Sequence, residues 1–262
     1  MKKMTGSYVV VAFYIFYIIL PLVATLLYSL AGDWHNTVLP QNLGLKWYQQ
    51  LIRDSRFLTS LGHSFMVCLM VMVVSLLVVT SALVVVALYL PHMDGVMESF
   101  CMLPYGIPAV SAAVGLLKAY SSLRSNLLMI LILLGGAYFM LILPYMYGGI
   151  RNRLRSLNIP ELVQTAELLG ARPGQIFRLV VIPNLLPGLL VSSLLSLSIL
   201  FGDFALANLL VGGMFETVQL YLFSSMRING HFASALVIFY YLFILLASIL
   251  ILKLSQPREQ NE

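Results

Sequence analysis

Residues 127–150 read LLMILILLGGAYFMLILPYMYGGI, a run without a charged side chain. At about 1.5 Å per helical residue, this run is long enough to cross a hydrocarbon core of roughly 30 Å. It is followed directly by Arg151-Asn-Arg153-Leu-Arg155, and such positive charge is typical of the inner side of a membrane. The stretch therefore predicts a membrane-spanning helix that ends inside the cell.

The composition extends this prediction to the whole chain. Of its 262 residues, 60% are hydrophobic and 10% are charged, against about 45–50% and about 25% in soluble domains. A soluble globular protein is thereby excluded. Strands of membrane barrels alternate in polarity over about 10 residues, whereas these runs are continuously apolar. The two cysteines are not spaced like a disulfide framework or a metal site, so we expect no cofactor.

Six apolar stretches predict an all-α integral membrane protein with six transmembrane helices in a single domain, residues 1–262. The predicted spans are residues 8–30, 63–90, 99–120, 127–150, 185–211 and 232–254. The first stretch also has features of a signal peptide, since Lys2 and Lys3 precede it and Ser29-Leu-Ala31 resembles a cleavage site. It is longer than the 7–15 apolar residues of such a peptide, so we predict a membrane helix.

The distribution of basic residues predicts that both termini are cytoplasmic, because Lys and Arg are enriched in inner loops. The inner set is larger and comprises Lys2, Lys3, Arg151, Arg153, Arg155, Arg172, Arg178, Lys253 and Arg258. The outer set comprises Lys46, Arg53, Arg56, Lys118, Arg124 and Arg227. In the first outer loop, Lys46-Trp47-Tyr48 predicts a short amphipathic helix that lies on the membrane with aromatic anchors.

The cytoplasmic segment 151–183 is longer than a connection between spans requires. Asn158-Ile-Pro160-Glu161 predicts a helix start, and Gly170 predicts its end in a left-handed conformation. On this helix Leu162, Ala166 and Leu169 form a narrow apolar stripe, which either docks on a partner or packs on the chain and lipid. We expect a second short helix from Pro173 that ends before Pro183.

The same segment resembles the EAA signature (Glu-Ala-Ala, three residues, Gly) of the membrane subunits of binding-protein-dependent ABC importers. The residues that carry the resemblance are Gln164-Thr-Ala-Glu-Leu-Leu-Gly-Ala171, Phe177 and Val180-Val-Ile-Pro183. The family's Glu-Ala is Gln164-Thr165 here, although Glu161 and Glu167 are nearby. Leu103-Pro104, Ile107-Pro108 and the six spans are similar to the polyamine, phosphonate and ferric-ion group of these permeases.

The resemblance implies a permease subunit in the inner membrane of a bacterium, with two ATP-binding subunits, a second and non-identical permease subunit, and an extracytoplasmic solute-binding protein. Lipid is the only other partner expected, and nucleic acid is not. The implied ATPase-coupling residues are Glu161, Gln164, Thr165, Ala166, Glu167, Gly170, Ala171, Phe177 and Pro183. The implied solute is a small organic molecule such as a polyamine or aminophosphonate, with ferric ion or another small solute as the alternative.

Candidate pathway residues lie within the predicted spans. A carboxylate at mid-membrane costs about 2.5–3.5 kcal/mol on insertion scales, so Asp203 requires a partner or water. A structural role for Asp203 is favoured over cation binding. Asn208, Ser192, Ser193, Ser196 and Ser198 either line the path or bond helix to helix. Pro104 and Pro108 can place kinks beside a cavity.

Two other classes of function have less support. An intramembrane enzyme is disfavoured, because His35, His63, His92 and His231 lie at span ends or in loops and no catalytic motif is present. The chain also lacks a P-loop, so ATP hydrolysis is expected on a separate subunit. A freestanding secondary carrier needs intramembrane coupling groups, and Asp203 is the single candidate.

Overall fold

The computed structural model describes residues 2–34, 37–121 and 126–255. His35, Arg124 and Arg258 therefore lie outside the described residues. The helices in the described part are α1 (Lys2–Leu30), α2 (Lys46–Arg53), α3 (Ser55–Tyr89), α4 (Asp94–Met102), α5 (Ala109–Ala119), α6 (Leu127–Ser156), α7 (Ile159–Leu168), α8 (Pro173–Gly202), α9 (Ala205–Leu210), α10 (Val218–Met226) and α11 (Gly230–Ser255).

Five of these helices are long and apolar enough to cross a membrane, and a sixth span exists if the bent pair α4 and α5 crosses as one. The all-α membrane fold is thus confirmed. Several helices extend beyond the predicted apolar runs: α3 begins at Ser55, and α6 continues through the arginines to Ser156. The apolar run marks the lipid-compatible part of a helix, whereas a cap or turn determines where the helix ends.

The third span is not the continuous helix predicted for residues 99–120. Helix α4 ends at Met102, a tight turn covers Leu103–Gly106, and α5 begins at Ala109 after a bend of 92°. The cause is local, because a proline lacks an N–H and disfavours the helical conformation at the residue before it. Ile107, which precedes Pro108, is extended with φ −109° and ψ 113°.

The fifth span also differs from the prediction of residues 185–211. Helix α8 ends at Gly202, Asp203 is extended, and the short helix α9 follows. At its other end α8 starts at Pro173 and passes through Pro183, so the predicted separate short helix is wrong. A wide π-type turn at Phe177–Val181, in which the Ile182 N–H bonds to the Phe177 carbonyl, carries the helix up to this proline.

The chain forms two compact units, Met1–Thr59 with Tyr221–Ile244 and Ser60–Leu220 with Leu245–Glu262. The prediction of one domain stays a prediction.

In the first unit α2 is confirmed as a helix, but Trp47 is not a membrane anchor. Its side chain is buried and its indole N–H donates to the Ala31 carbonyl at 2.8 Å. A hydrogen bond of 2.6 Å also joins the hydroxyls of Tyr48 and Ser29. The apolar face of α2 therefore packs on its own chain.

The second unit is built on the contact between α6 and α8. A Cβ at Gly149 would overlap the Ser192 side chain, and a Cβ at Gly188 would lie 2.6 Å from the Arg153 Cβ. Small residues permit such close approach of membrane helices. Ser192 and Ser193 are buried and donate to carbonyls of their own helix, at 2.8 and 2.6 Å. These contacts place both serines in the packing of the helices.

Candidate functional site

Helix α7 starts where the sequence predicts. Asn158 precedes it in the left-handed conformation with φ 45°, Pro160 lies in the first turn, and Glu161 follows near the positive end of the helix dipole. The Asn158 side chain makes no capping hydrogen bond to the helix. A left-handed asparagine is one of the few non-glycine residues tolerated at such a turn, and here it separates α6 from α7.

The buried face of α7 is formed by Ile159, Val163 and Ala166. The predicted stripe of Leu162, Ala166 and Leu169 coincides with this buried face only at Ala166. Leu162 is half-buried, whereas Leu168 and Leu169 are 89% and 83% exposed. Both stripes fit helical spacing, and the tertiary contacts of α7 with the start of α8 and its wide turn select between them.

The end of α7 is closed by backbone hydrogen bonds around Gly170. The Gly170 N–H donates to the Glu167 carbonyl at 2.9 Å, and the Ala171 N–H donates to the Ala166 carbonyl at 3.0 Å. This is the Schellman arrangement, which requires a left-handed residue. Gly170 has φ +82°, which confirms the predicted conformation. Among the described residues, no atom lies within 4 Å of the position that a Cβ would take there, so the glycine is required for its backbone angle, not for space.

The other coupling residues named from the sequence are distributed over two helices. Glu161, Gln164, Thr165 and Glu167 are exposed on α7, and the Thr165 hydroxyl donates to the Glu161 carbonyl at 2.9 Å. Ala171 is half-buried between the helices, and Phe177 and Pro183 are exposed on α8. Together with Leu168 and Leu169, the exposed residues of α7 form a surface that we name the α7 surface.

A groove of about 520 Å³ lies between α5 and α6. Small and apolar residues line it, among them Ala112, Gly115, Gly136 and Ala137, with Leu206 from α9 and Pro104 from the bend. Of the four predicted pathway residues, only Pro104 lines this groove. Pro108 lies at the bend just before α5, and Asn208 is exposed on α9.

Asp203 has protein partners. Its carboxylate accepts hydrogen bonds from the backbone N–H groups of Leu206 and Ala207, at 3.4 and 3.1 Å, and from the Tyr138 hydroxyl. The carboxylate thus caps α9 and links it to α6. This geometry favours the structural role of Asp203 over cation binding.

An ionic cluster that the sequence reasoning missed joins α4 to the end of α6. Arg151 donates to Asp94 through Nε at 3.0 Å and Nη2 at 2.6 Å, and its Nη1 lies 2.7 Å from a Glu98 carboxylate oxygen. Arg155 donates to Asp94 at 2.8 Å. In the sequence, the two acids are four residues apart and so are the two arginines, which predicts that each pair lies on one face of a helix. Only the fold shows that the two faces are opposite each other.

No metal centre is found among the described residues, since none of their His, Cys, Asp and Glu side chains form a group of three or more that could hold an ion. The His63 ring stacks on Phe215 at 4.0 Å, and its Nδ1 lies 3.0 Å from the Glu216 carbonyl. This contact fixes the loop that follows α9.

Comparison with known proteins identifies the family. Residues 85–261 match the family described as "Binding-protein-dependent transport system inner membrane component". The chain is 26% identical over 216 residues to "Putative 2-aminoethylphosphonate transport system permease protein PhnV" of Salmonella typhimurium, covering 80% of this chain and 78% of that protein. The protein of the same name from Salmonella choleraesuis matches equally.

A third relative is "Inner membrane ABC transporter permease protein YdcU" of Escherichia coli, 40% identical over 67 residues, which is 26% of this chain and 21% of that protein. The family match covers more than half of the chain, and the apolar helices agree with it. The chain belongs to the inner-membrane components of binding-protein-dependent transport systems, and it is a multi-pass permease subunit of an ABC importer.

Proposed function

We propose that α7 is the element on which an ATP-binding subunit docks, and that the groove between α5 and α6 contributes to the solute pathway. The exposed Leu168 and Leu169, at 89% and 83%, carry the docking proposal. Two adjacent leucines at the end of a helix anchored by Ile159 and Val163 expose apolar surface away from the chain's own core. The left-handed Gly170 holds this end of the helix in a fixed direction.

The assembly that this proposal requires contains two ATP-binding subunits, a second and non-identical permease subunit, and a solute-binding protein on the outer side. ATP hydrolysis takes place on the separate subunits, and this chain is not itself an enzyme. We place both termini in the cytoplasm of a bacterium, with Arg151, Arg153 and Arg155 on the inner side. The three arginines in the last turns of α6 support this orientation.

For the solute we propose a small organic amine or phosphonate, with ferric ion as the alternative. The name printed for the Salmonella relatives, 2-aminoethylphosphonate permease, supports the former class. The binding protein of the system determines most of the specificity, so titration of that protein with 2-aminoethylphosphonate, putrescine and ferric ion tests the proposal. Tight binding of a sugar or peptide instead would contradict it.

The docking proposal is tested with Leu168→Glu/Leu169→Glu in the assembled complex. The new charges should prevent apolar contact, so the ATP-binding subunit should be lost on purification while the amount of permease in the membrane stays normal. Val38→Glu is the matched control, because Val38 is 93% exposed but belongs to the other compact unit. If the double variant retains a stoichiometric and active ATP-binding subunit, α7 is not the docking element.

A further inference from the structure

The ionic cluster of Asp94, Glu98, Arg151 and Arg155 lies where three elements of the second unit meet. It joins the first turns of α4 to the last turns of α6, and a cavity of about 320 Å³ beside it is also lined by Asn158, Ile159 and Pro160 at the start of α7. The helix that carries the α7 surface is thus connected to α4 by a short path. This path runs from the turn at Asn158 to Arg151 near the end of α6, and from Arg151 to Asp94 of α4.

Arg151 is held in one orientation by several contacts, unlike a loose surface ion pair. We call its pairing with Asp94 and Glu98 the clamp. Its side chain is only 9% exposed, and its guanidinium uses Nε, Nη1 and Nη2 for the two carboxylates. The guanidinium also lies 5.3 Å from the ring centre of the buried Tyr147. Planar, two-bond pairing of this kind fixes orientation as well as distance, which a lysine cannot reproduce.

The element held by this clamp leads directly to the groove. Helix α4 runs into the tight turn Leu103–Gly106 and the 92° bend, and Pro104 of that turn lines the groove with α5 and α6. The turn also contacts α6 directly, where the rings of Tyr105 and Tyr145 pack edge to face with their centres 5.3 Å apart. The clamp adds an oriented ionic link at the start of α4, through which a displacement of the end of α6 would reach the bend.

We infer that Asp94 and Glu98 are positioning residues for energy coupling, which transmit movement of α7 through Arg151 to the bent helix beside the groove. This inference rests on the proposed docking of an ATP-binding subunit on α7. It assigns to the first turns of α4 a role separate from docking, because the two acids lie outside the α7 surface.

The experiment measures the distance between spin labels at Val110 of α5 and Leu186 of α8, two exposed positions in the second unit. The full complex is compared without nucleotide and after trapping with ATP and vanadate, in a background with Cys68 and Cys101 replaced by alanine. The complex with the unmodified ionic cluster should show a nucleotide-dependent shift in the distance between the two labels. Asp94→Asn/Glu98→Gln should lose the shift while the ATP-binding subunit stays bound and hydrolyses ATP within about twofold of the normal basal rate.

A purely structural role would reduce the amount of complex without abolishing the shift in the fraction that assembles. The single variant Asp94→Glu retains the negative charge at this position and should show the nucleotide-dependent shift that the double variant loses. A full shift in the double variant, or no shift in the unmodified complex, would overturn the inference. If the double variant does not assemble, Asp94→Asn alone decides, since it removes the charge that pairs with both arginines while Glu98 still pairs with Arg151: normal assembly with a full shift overturns the inference. Loss of the ATP-binding subunit is scored separately with the Leu168/Leu169 variant, which tests docking alone.

Discussion

The Tyr221 hydroxyl donates a hydrogen bond of 2.7 Å to the Asp54 carboxylate, across 167 residues of sequence. The other carboxylate oxygen of Asp54 accepts from the backbone N–H groups of Arg56 and Phe57, at 2.8 and 3.2 Å. Asp54 therefore caps the start of α3 and ties it to α10 within the first unit. The same carboxylate serves both connections, which makes its contribution measurable by substitution.

Asp54→Ala should destabilise the chain more than Tyr221→Phe. Asp54→Ala removes the N-cap, which costs about 0.5–2 kcal/mol, together with the acceptor of the Tyr221 hydroxyl, whereas Tyr221→Phe removes only one hydrogen bond to a charged group, which costs about 1.5–3 kcal/mol. Thermal unfolding of the purified permease in detergent measures both. Because the residues share one hydrogen bond, the double variant should lose less than the sum of the single losses. Additive losses would show that the bond contributes nothing.

The Asp54 contribution should depend on pH. Burial by itself raises the pKa of Asp54, but the hydrogen bonds from Tyr221, Phe57 and Arg56 and the Arg56 charge outweigh it, so the pKa lies below its ordinary value. A lowered pKa in the folded state gives stability that is complete above the unfolded pKa of about 3.9 and is lost as the pH falls through the folded value. The difference in melting temperature between wild type and Asp54→Asn should therefore shrink as the pH falls below the unfolded pKa of about 3.9. A constant difference would contradict this.

Gly188→Ala should impair the packing of α6 on α8. The added Cβ would lie 2.6 Å from the Arg153 Cβ and 2.9 Å from its Cγ, so the helices must separate. Overpacking of this kind typically costs about 1–3 kcal/mol. Membrane abundance and melting temperature should both fall. Gly148→Ala on α6 is the control, because no atom of the described residues lies within 4 Å of a Cβ there, and it should leave both unchanged.

Gly170→Gln should uncouple the complex without preventing insertion. A glutamine in the left-handed conformation costs about 1–2 kcal/mol, which favours a different path for the chain after α7. We expect normal abundance in the membrane, with the ATP-binding subunit either lost or bound without stimulated hydrolysis. Gly170→Asn should be milder, since asparagine tolerates this conformation, and Gly44→Gln should have no effect. Normal transport by Gly170→Gln would exclude α7 as the coupling element.

Asp203→Ala should reduce the amount of assembled complex. The substitution leaves the N–H groups of Leu206 and Ala207 and the Tyr138 hydroxyl without their acceptor, and unsatisfied buried groups cost about 1–3 kcal/mol each. Asp203→Asn retains one acceptor oxygen and should lose less. Asn208→Ala, at an exposed position of α9, is the control. Normal assembly of Asp203→Ala combined with lost uptake would instead indicate a role in solute binding.

The sequence predicted the membrane helices well because continuous apolar runs have few alternatives in lipid. It located the interruption at Pro104 and Pro108 only as a kink, since proline chemistry predicts a break but not its angle of 92°. The break at Asp203 was missed, because a single carboxylate in an apolar run does not show that it caps a following helix.

The bounds of the helix proposed for docking were predicted, but its orientation was not. Asn158 and Gly170 bound α7 as expected, since turn residues act locally. The side of α7 that packs on its own chain was left open and the role of Trp47 was wrong, because both depend on which distant helix lies opposite. The Asp94 to Arg151 clamp spans 57 residues, and pairings of that range require the fold.

The wide turn at Phe177–Val181 amounts to one residue inserted into an otherwise regular helix. A π-type turn contains about one residue more than a regular turn, so the extra residue widens the turn and the parts of α8 before and after it keep nearly the same orientation about the helix axis. In a regular α-helix the same extra residue would instead rotate the Arg172 end, and α7 with it, by about 100°. The wide turn thus accommodates one more residue without changing the direction in which α7 faces.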